Sequence, residues 1–150
     1  LSQRFIEKYI AKQFNASLVV DIQNTLLKLK NSGCLQFVVS AQEISLLKKA
    51  IKHYNLCSFF QDFIGVNNFL AYGKKHIAKQ LYTKNLSSKF NVVLVGDTEH
   101  DAAVARALDV DCVLVSFGHC SKKRLLDTGH KVVDSVRGLN LFLKQRGFLI

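Results

Sequence analysis

Proline and methionine are absent from this chain of 150 residues, and acidic residues are scarce, 11 against 21 lysines and arginines. Without proline the sequence lacks one of the usual markers of linkers, and no repeat or low-complexity tract divides it. The lack of methionine, at the first position or later, predicts that these residues belong to a longer translation product. No apolar run exceeds the length of a strand, which excludes a membrane-spanning helix. The amphipathic start from Ser2 to Tyr9 lacks the uninterrupted apolar region of a signal peptide. Cys34, Cys57, Cys112 and Cys120 show no C-x-x-C spacing, so reduced thiols in a cytoplasmic protein are expected rather than a metal or disulfide set.

The net charge of +10 admits nucleic acid, an acidic membrane surface or small anions as partners. The basic residues are dispersed, however. Lys48, Lys49 and Lys52 follow one helix face, Lys122, Lys123 and Arg124 open another helix, and Lys144 and Arg146 lie near the end. Aromatic residues do not interleave with them as a stacking platform would require, so neither nucleic acid nor membrane is the expected partner. A basic rim that attracts small phosphorylated metabolites is the more economical use of the charge.

At 49% hydrophobic content, 150 residues suffice for one domain with a real core. Apolar spacing predicts helices over 2–14, 21–31, 43–53, 75–84, 99–108 and 136–145, the second stopped by Gly33. Strands are expected at 35–39, near Phe63 and Ile64, from Asn91, at 112–115 and at 131–133, with a loop over 65–72. This alternation predicts an α/β fold, a Rossmann-like three-layer arrangement of a parallel sheet with helices on both faces.

Three stretches carry chemistry. The apolar run Asn91-Val92-Val93-Leu94-Val95 ends in Gly96-Asp97-Thr98-Glu99-His100-Asp101, a G-D-x-x-x-D that places two carboxylates at one strand end. Open α/β sheets bind ligands at that rim, and two acids there suit Mg²⁺. An acid opening a helix is equally an ordinary cap or a partner of the helix dipole, and from this stretch alone both readings stand. Leu35-Gln36-Phe37-Val38-Val39 ends in Ser40, a hydroxyl at a strand end that would also serve as a helix cap. Tyr72-Gly73-Lys74-Lys75 sets an ammonium before a helix.

The order of these stretches resembles the haloacid dehalogenase superfamily of phosphatases and phosphotransferases, closest to its phosphoglycolate-phosphatase-like branch. The strand-end Ser matches the second motif of that family, the Lys the third and G-D-x-x-x-D the fourth. The segment from Leu18 to Gly33 looks like the family's approach to the second motif. The resemblance implies a Mg²⁺-dependent phosphomonoester hydrolase in which Asp97 ligates the metal and Asp101 supports it. It further implies that Ser40 and the backbone N–H of Ala41 bind the phosphoryl group, and that Lys74 neutralises it. Residues 1–17 would be the last helix of a helical cap, and 18–150 the core. Lys75 departs from the family, which usually has proline there.

The family's first motif, an apolar strand ending in D-x-D-G-T that carries the nucleophilic aspartate, does not occur. Asp109-Val110-Asp111 has the D-x-D spacing but follows a helix and precedes a strand, the reverse of the required context. Asp21 precedes Ser40 by only 19 residues and falls in the approach helix. The missing strand is central in the family's sheet, between the strands ending at Ser40 and Asp97, and its removal leaves backbone groups unpaired. The expectation is therefore an enzyme whose nucleophile segment lies outside these residues, this chain alone being inactive. The alternative is a catalytically inactive module that binds phosphate or Mg²⁺ or acts through a protein partner. A phospho-receiver domain would place its acids before the hydroxyl, opposite to the order here. His100 at its position in the helix points away from both acids, Cys120 is expected to be incidental, and Asp134 is expected to cap the last helix.

Overall fold

The computed structural model of the chain describes residues 13–66 and 91–150. Lys74, the expected helix 75–84 and most of the expected helix 2–14 lie outside them; Gln13–Asn15 forms a single 3-10 turn.

The first helix, α1 (Ile22–Asn31), runs to Ser32 and ends where Gly33 takes φ 77°, a left-handed position that glycine adopts without the steric cost of a Cβ. It serves two cores. Leu26 packs with Leu18, Leu47, Ile51, Val38 and Phe63, whereas Ile22 and Leu29 pack with Val113, Val133, Leu139 and Leu143.

Strand β1 (Phe37–Glu43), helix α2 (Ile44–His53) and strand β2 (Asp62–Val66) follow, then β3 (Val93–Gly96), α3 (Glu99–Leu108), β4 (Asp111–Val115), α4 (Lys122–Leu126), β5 (Lys131–Val133) and α5 (Val136–Gln145). The helices expected at 99–108 and 136–145 form with those bounds, and Asp109, left-handed at φ 54°, makes the expected turn between α3 and β4. The loop expected from Gly65 begins later, because Gly65 and Val66 still belong to β2. Strand β1 starts at Phe37 rather than Leu35, and β3 at Val93 rather than Asn91. Thr25, 1% exposed, donates a 2.8 Å hydrogen bond from Oγ1 to Asn140 Oδ1 and so ties α1 to α5.

Among the described residues every strand pairing is parallel, but the strands form two sheets, β1–β2 and β3–β4–β5. In β4 alternate residues serve opposite faces, as the pleat requires. Cys112 and Leu114 pack with Ala102 and Ala105 of α3 and with Leu125 of α4, while Val113 and Val115 pack with Leu139, Phe142 and Leu143 of α5. These are the three layers read from the sequence.

Among the described residues no strand lies between β1 and β3. A slot of about 600 Å³ opens there, bordered by Gly33 to Val39 on one side and Asn91 to Val95 on the other.

Candidate active site at the carboxyl ends of β1 and β3

Asp97 follows the last residue of β3, and the reason for the glycine before it is steric. A Cβ on Gly96 would stand 2.3 Å from Cβ of Asp101, so only glycine lets Asp101 fold back under the turn. There Asp101 is 1% exposed, and its Oδ2 accepts from Asp97 N at 3.1 Å, Thr98 N at 3.0 Å and Thr98 Oγ1 at 2.8 Å. Thr98 Oγ1 in turn accepts from Asp101 N, which completes a capping box at the start of α3. The two readings of the acids thus divide between them: Asp101 is the cap that holds the loop, and Asp97 is the acid presented by it.

Asp97 is itself held from a second loop, between β4 and α4. His119 N donates to Asp97 Oδ2 at 2.8 Å and Cys120 N to the Asp97 carbonyl at 3.3 Å. A Cβ on Gly118 would lie 2.3 Å from Cβ of Asp97, so glycine is required there too. One carboxylate oxygen is anchored, and among the described residues Oδ1 accepts no hydrogen bond. The sequence offered only Gly118 after a strand as a signal for this loop, because its contacts come from backbone N–H groups.

Across the slot, Ser40 lies within β1 rather than at its end. Val39 pairs with Ile64 and Glu43 with Val66, so β1 advances four residues while β2 advances two, and Ser40, Ala41 and Gln42 bulge out. Gly65 makes the room, since a Cβ there would stand 2.6 Å from the Gln42 carbonyl oxygen. Ser40 Oγ accepts from Gln42 N at 3.1 Å. The cap of α2 is Glu43, which accepts from Ser45 Oγ, from Ser45 N at 2.9 Å and from Leu46 N at 3.1 Å, and these bonds, the Ser45 hydroxyl first, hold its carboxyl below the usual range. This corrects two placements: Ser40 is not a helix cap, and Ala41 lies in the bulge instead of opening a helix, because Glu43 takes the capping position.

The structure therefore sets Asp97 directly after β3, with Asp101 beneath it, and Ser40 in the bulge of β1 directly after Val39, in the two strands whose residues Val93 to Val95 and Phe37 to Val39 border one slot; Lys74 lies outside the described residues. Further round the rim, Asp134 accepts from Ser116 Oγ and Lys122 Nζ, both at 2.6 Å, and Lys122 is the first cause of its lowered pKa. Ser135 caps α5 through Gly138 N at 3.1 Å, the role expected of Asp134, because Asp134 is turned to Lys122. His100 is exposed as expected. All four cysteines are free. Burial, with Asp101 nearby, pushes Cys112 up to about 11, which makes it a core thiol and no nucleophile. Among the described residues no three His, Cys, Asp or Glu cluster to hold a metal, and no helix is long and apolar enough to cross a membrane.

A parallel three-layer fold with an anchored acid directly after β3 and a hydroxyl in the bulge of β1 defines an α/β protein whose candidate site lies toward the carboxyl rim of its strands. The family model for haloacid dehalogenase-like hydrolases matches residues 1–115, and the chain belongs to that family. No curated protein matches the sequence. Among solved structures, a predicted phosphatase from Clostridium difficile superposes with a TM-score of 0.84 at 18% identity, over 94% of this chain and 67% of its own. A predicted phosphatase from Clostridium acetobutylicum gives 0.76 at 22%, over 84% and 59%. A predicted phosphoglycolate phosphatase from Haemophilus somnus 129pt gives 0.79 at 15%, over 95% and 68%. These likenesses establish the fold, and a third or more of the length of the first two has no counterpart in this chain.

Proposed function

We propose that this chain is the core of a Mg²⁺-dependent phosphomonoester hydrolase of the phosphoglycolate-phosphatase-like kind, with residues 1–17 as the last cap helix and 18–150 as the core. The observation that carries the reading is Asp97, fixed through one oxygen by His119 N and open at the other, directly after β3, whose residues Val93 to Val95 border the slot that Phe37 to Val39 border from β1.

The residues present fit Mg²⁺. This ion binds through one or two carboxylates and keeps waters and phosphate oxygens for its remaining positions. Asp97 supplies such a carboxylate, and Asp101 positions it without leaving the loop. Bound there, the ion would neutralise charge on the phosphoryl oxygens. Ser40 accepts from Gln42 N and so keeps its own proton to donate to a phosphoryl oxygen, next to the N–H of Ala41. Lys74 adds an ammonium. An aspartate carboxylate from a strand between β1 and β3 would attack phosphorus and expel the alkoxide, which takes a proton and leaves as the alcohol. Water would then cleave the aspartyl phosphate to free phosphate and restore the carboxylate. The described residues provide no carboxylate between β1 and β3, so this chain alone is expected to be inactive. The charge of +10 favours a small phosphorylated metabolite, and free thiols suit a reducing compartment such as the cytoplasm.

The test is a phosphomonoester panel assayed on a longer product that includes the sequence upstream of Leu1, with Mg²⁺ and with chelator. Turnover that needs Mg²⁺ and falls at least about 10²-fold in Asp97→Asn is expected, the scale of losing one group that stabilises transition-state charge. No turnover on any substrate would favour the second reading, an inactive module that binds phosphate or Mg²⁺ or acts through a protein partner.

A further inference from the structure

A second cavity, a groove of about 780 Å³, opens between the end of α1 and the length of α5 and shares no lining residue with the slot. Lys28 from α1 and Arg137 and Lys144 from α5 line it, and no aspartate or glutamate does. Other cations of this surface are matched, Lys122 with Asp134, Arg124 with Glu99 and Arg146 with Asp111. Those of the groove are exposed, and among the described residues they have no ion-pair partner. Arg137 and Lys144 stand seven residues apart in one helix, which puts them on a common face about 10 Å apart along its axis. Leu141 falls between them on that face and is 59% exposed. The walls are tied together, because Asn140, which also lines the groove, accepts from Thr25 of α1.

A single phosphate is too small to bridge cations so far apart. A second copy of the chain would set the same cations against themselves, since a twofold interface pairs a surface with itself. A nucleic acid matches the charge, but no aromatic side chain lines the groove to stack a base, and Leu141 between the two cations offers a phosphate backbone nothing. An amphipathic helix that carries carboxylates and apolar side chains on one face matches both the charge and the leucine. We propose that the groove between α1 and α5 docks an acidic amphipathic helix of a partner protein. Two of its carboxylates, seven residues apart, meet Arg137 and Lys144, the apolar residues between them cover Leu141, and Lys28 on the facing wall takes a further acid. Such complementarity fixes the register of a partner and steers its approach. None of these residues belongs to the candidate active site, so the docking site stands apart from the phosphatase reading.

The probe is a fluorescent, acetylated peptide Glu-Ala-Gln-Leu-Leu-Ala-Gln-Glu-Ala-Gln-Leu-Leu-Ala-Gln-Glu, whose glutamates recur every seven residues with leucines between them. It is titrated into the chain and followed by anisotropy, with circular dichroism to record folding; the longer product takes the place of the chain if the chain is unfolded alone. Saturable one-to-one binding is expected, weakened at least about tenfold by Arg137→Glu with Lys144→Glu. Lys48→Glu with Lys52→Glu, the same change of net charge on exposed positions of α2, is expected to leave binding unchanged. A peptide with lysine for each glutamate is expected to bind only the chain that carries Arg137→Glu and Lys144→Glu, and a peptide with serine for each leucine is expected to lose binding. The proposal is overturned if no peptide binds, or if the two double variants weaken binding equally, which would mean attraction by net charge alone. It is also overturned if the serine peptide binds as well as the parent, or if a single-stranded oligonucleotide binds through Arg137 and Lys144 more tightly than the peptide.

Discussion

Strand β4 and the strands that border the slot are alike in sequence and unlike in burial. Cys112-Val113-Leu114-Val115 is buried throughout, because β3 and β5 flank it and helices cover both faces. Phe37-Val38-Val39 and Val93-Leu94-Val95 are as apolar, yet none of these residues is fully buried, and each strand has one paired edge among the described residues. The difference teaches that an apolar run records the environment a strand is built for, and that among the described residues the slot strands have only half of it. The slot strands are also those that carry Ser40 in the bulge of β1 and Asp97 directly after β3, so among the described residues the least completed part of the sheet is the candidate site.

The largest effect that could break this comparison is in the core. Leu114→Ala, at a fully buried position, is expected to cost about 2–5 kcal/mol. Val95→Ala, with the side chain 45% exposed, is expected to stay within about 0.5 kcal/mol. Urea denaturation of both variants checks this, and equal losses would mean that the slot strands are packed as tightly as β4. Thr98→Ala sharpens the account of the rim. It removes the cap of α3 and one of three donors to Asp101, at about 1 kcal/mol. In the longer product it should lower affinity for Mg²⁺, measured by calorimetry, because Asp101 no longer fixes the Asp97 turn.

The smallest expected effect concerns pH. Lys122, and then Ser116, hold the Asp134 carboxyl below its ordinary value. A depressed folded-state pKa contributes stability that is present above the unfolded value of about 3.9 and is lost as pH falls through the lower folded value. Asp134→Asn should therefore destabilise slightly at neutral pH and flatten the loss as pH falls below about 4. Thermal denaturation across that range measures it, and an unchanged acid slope would show that the exposed pair contributes nothing.

Much of the fold was legible because the signals were local. The apolar run before Gly96 and the spacing of Ala102, Ala105 and Leu108 fixed β3 and α3, and Gly33 fixed the end of α1. The alternation of β and α elements predicted parallel pairing, which the described strands show. The misplacements arose where tertiary contacts decide. The bulge at Ser40–Gln42 depends on Gly65 of another strand, so the sequence around Ser40 read as a strand end followed by a helix. Asp97 and Asp101 look interchangeable in G-D-x-x-x-D, and only the fold-back permitted by Gly96 separates a presented acid from a buried one. The role of His119 was not legible because it acts through its backbone N–H, which every residue but proline carries.

Hydrogen exchange, resolved to single amides by NMR on the chain of 150 residues, tests the central claim most directly. In a parallel strand successive N–H groups point to opposite edges, so alternate amides of 37–39 and 93–96 are predicted to exchange nearly as fast as exposed loop amides, with those of 112–115 all protected. Uniform protection of both slot strands, equal to that of β4, would contradict the account, for it would mean that their inner edges already have a partner.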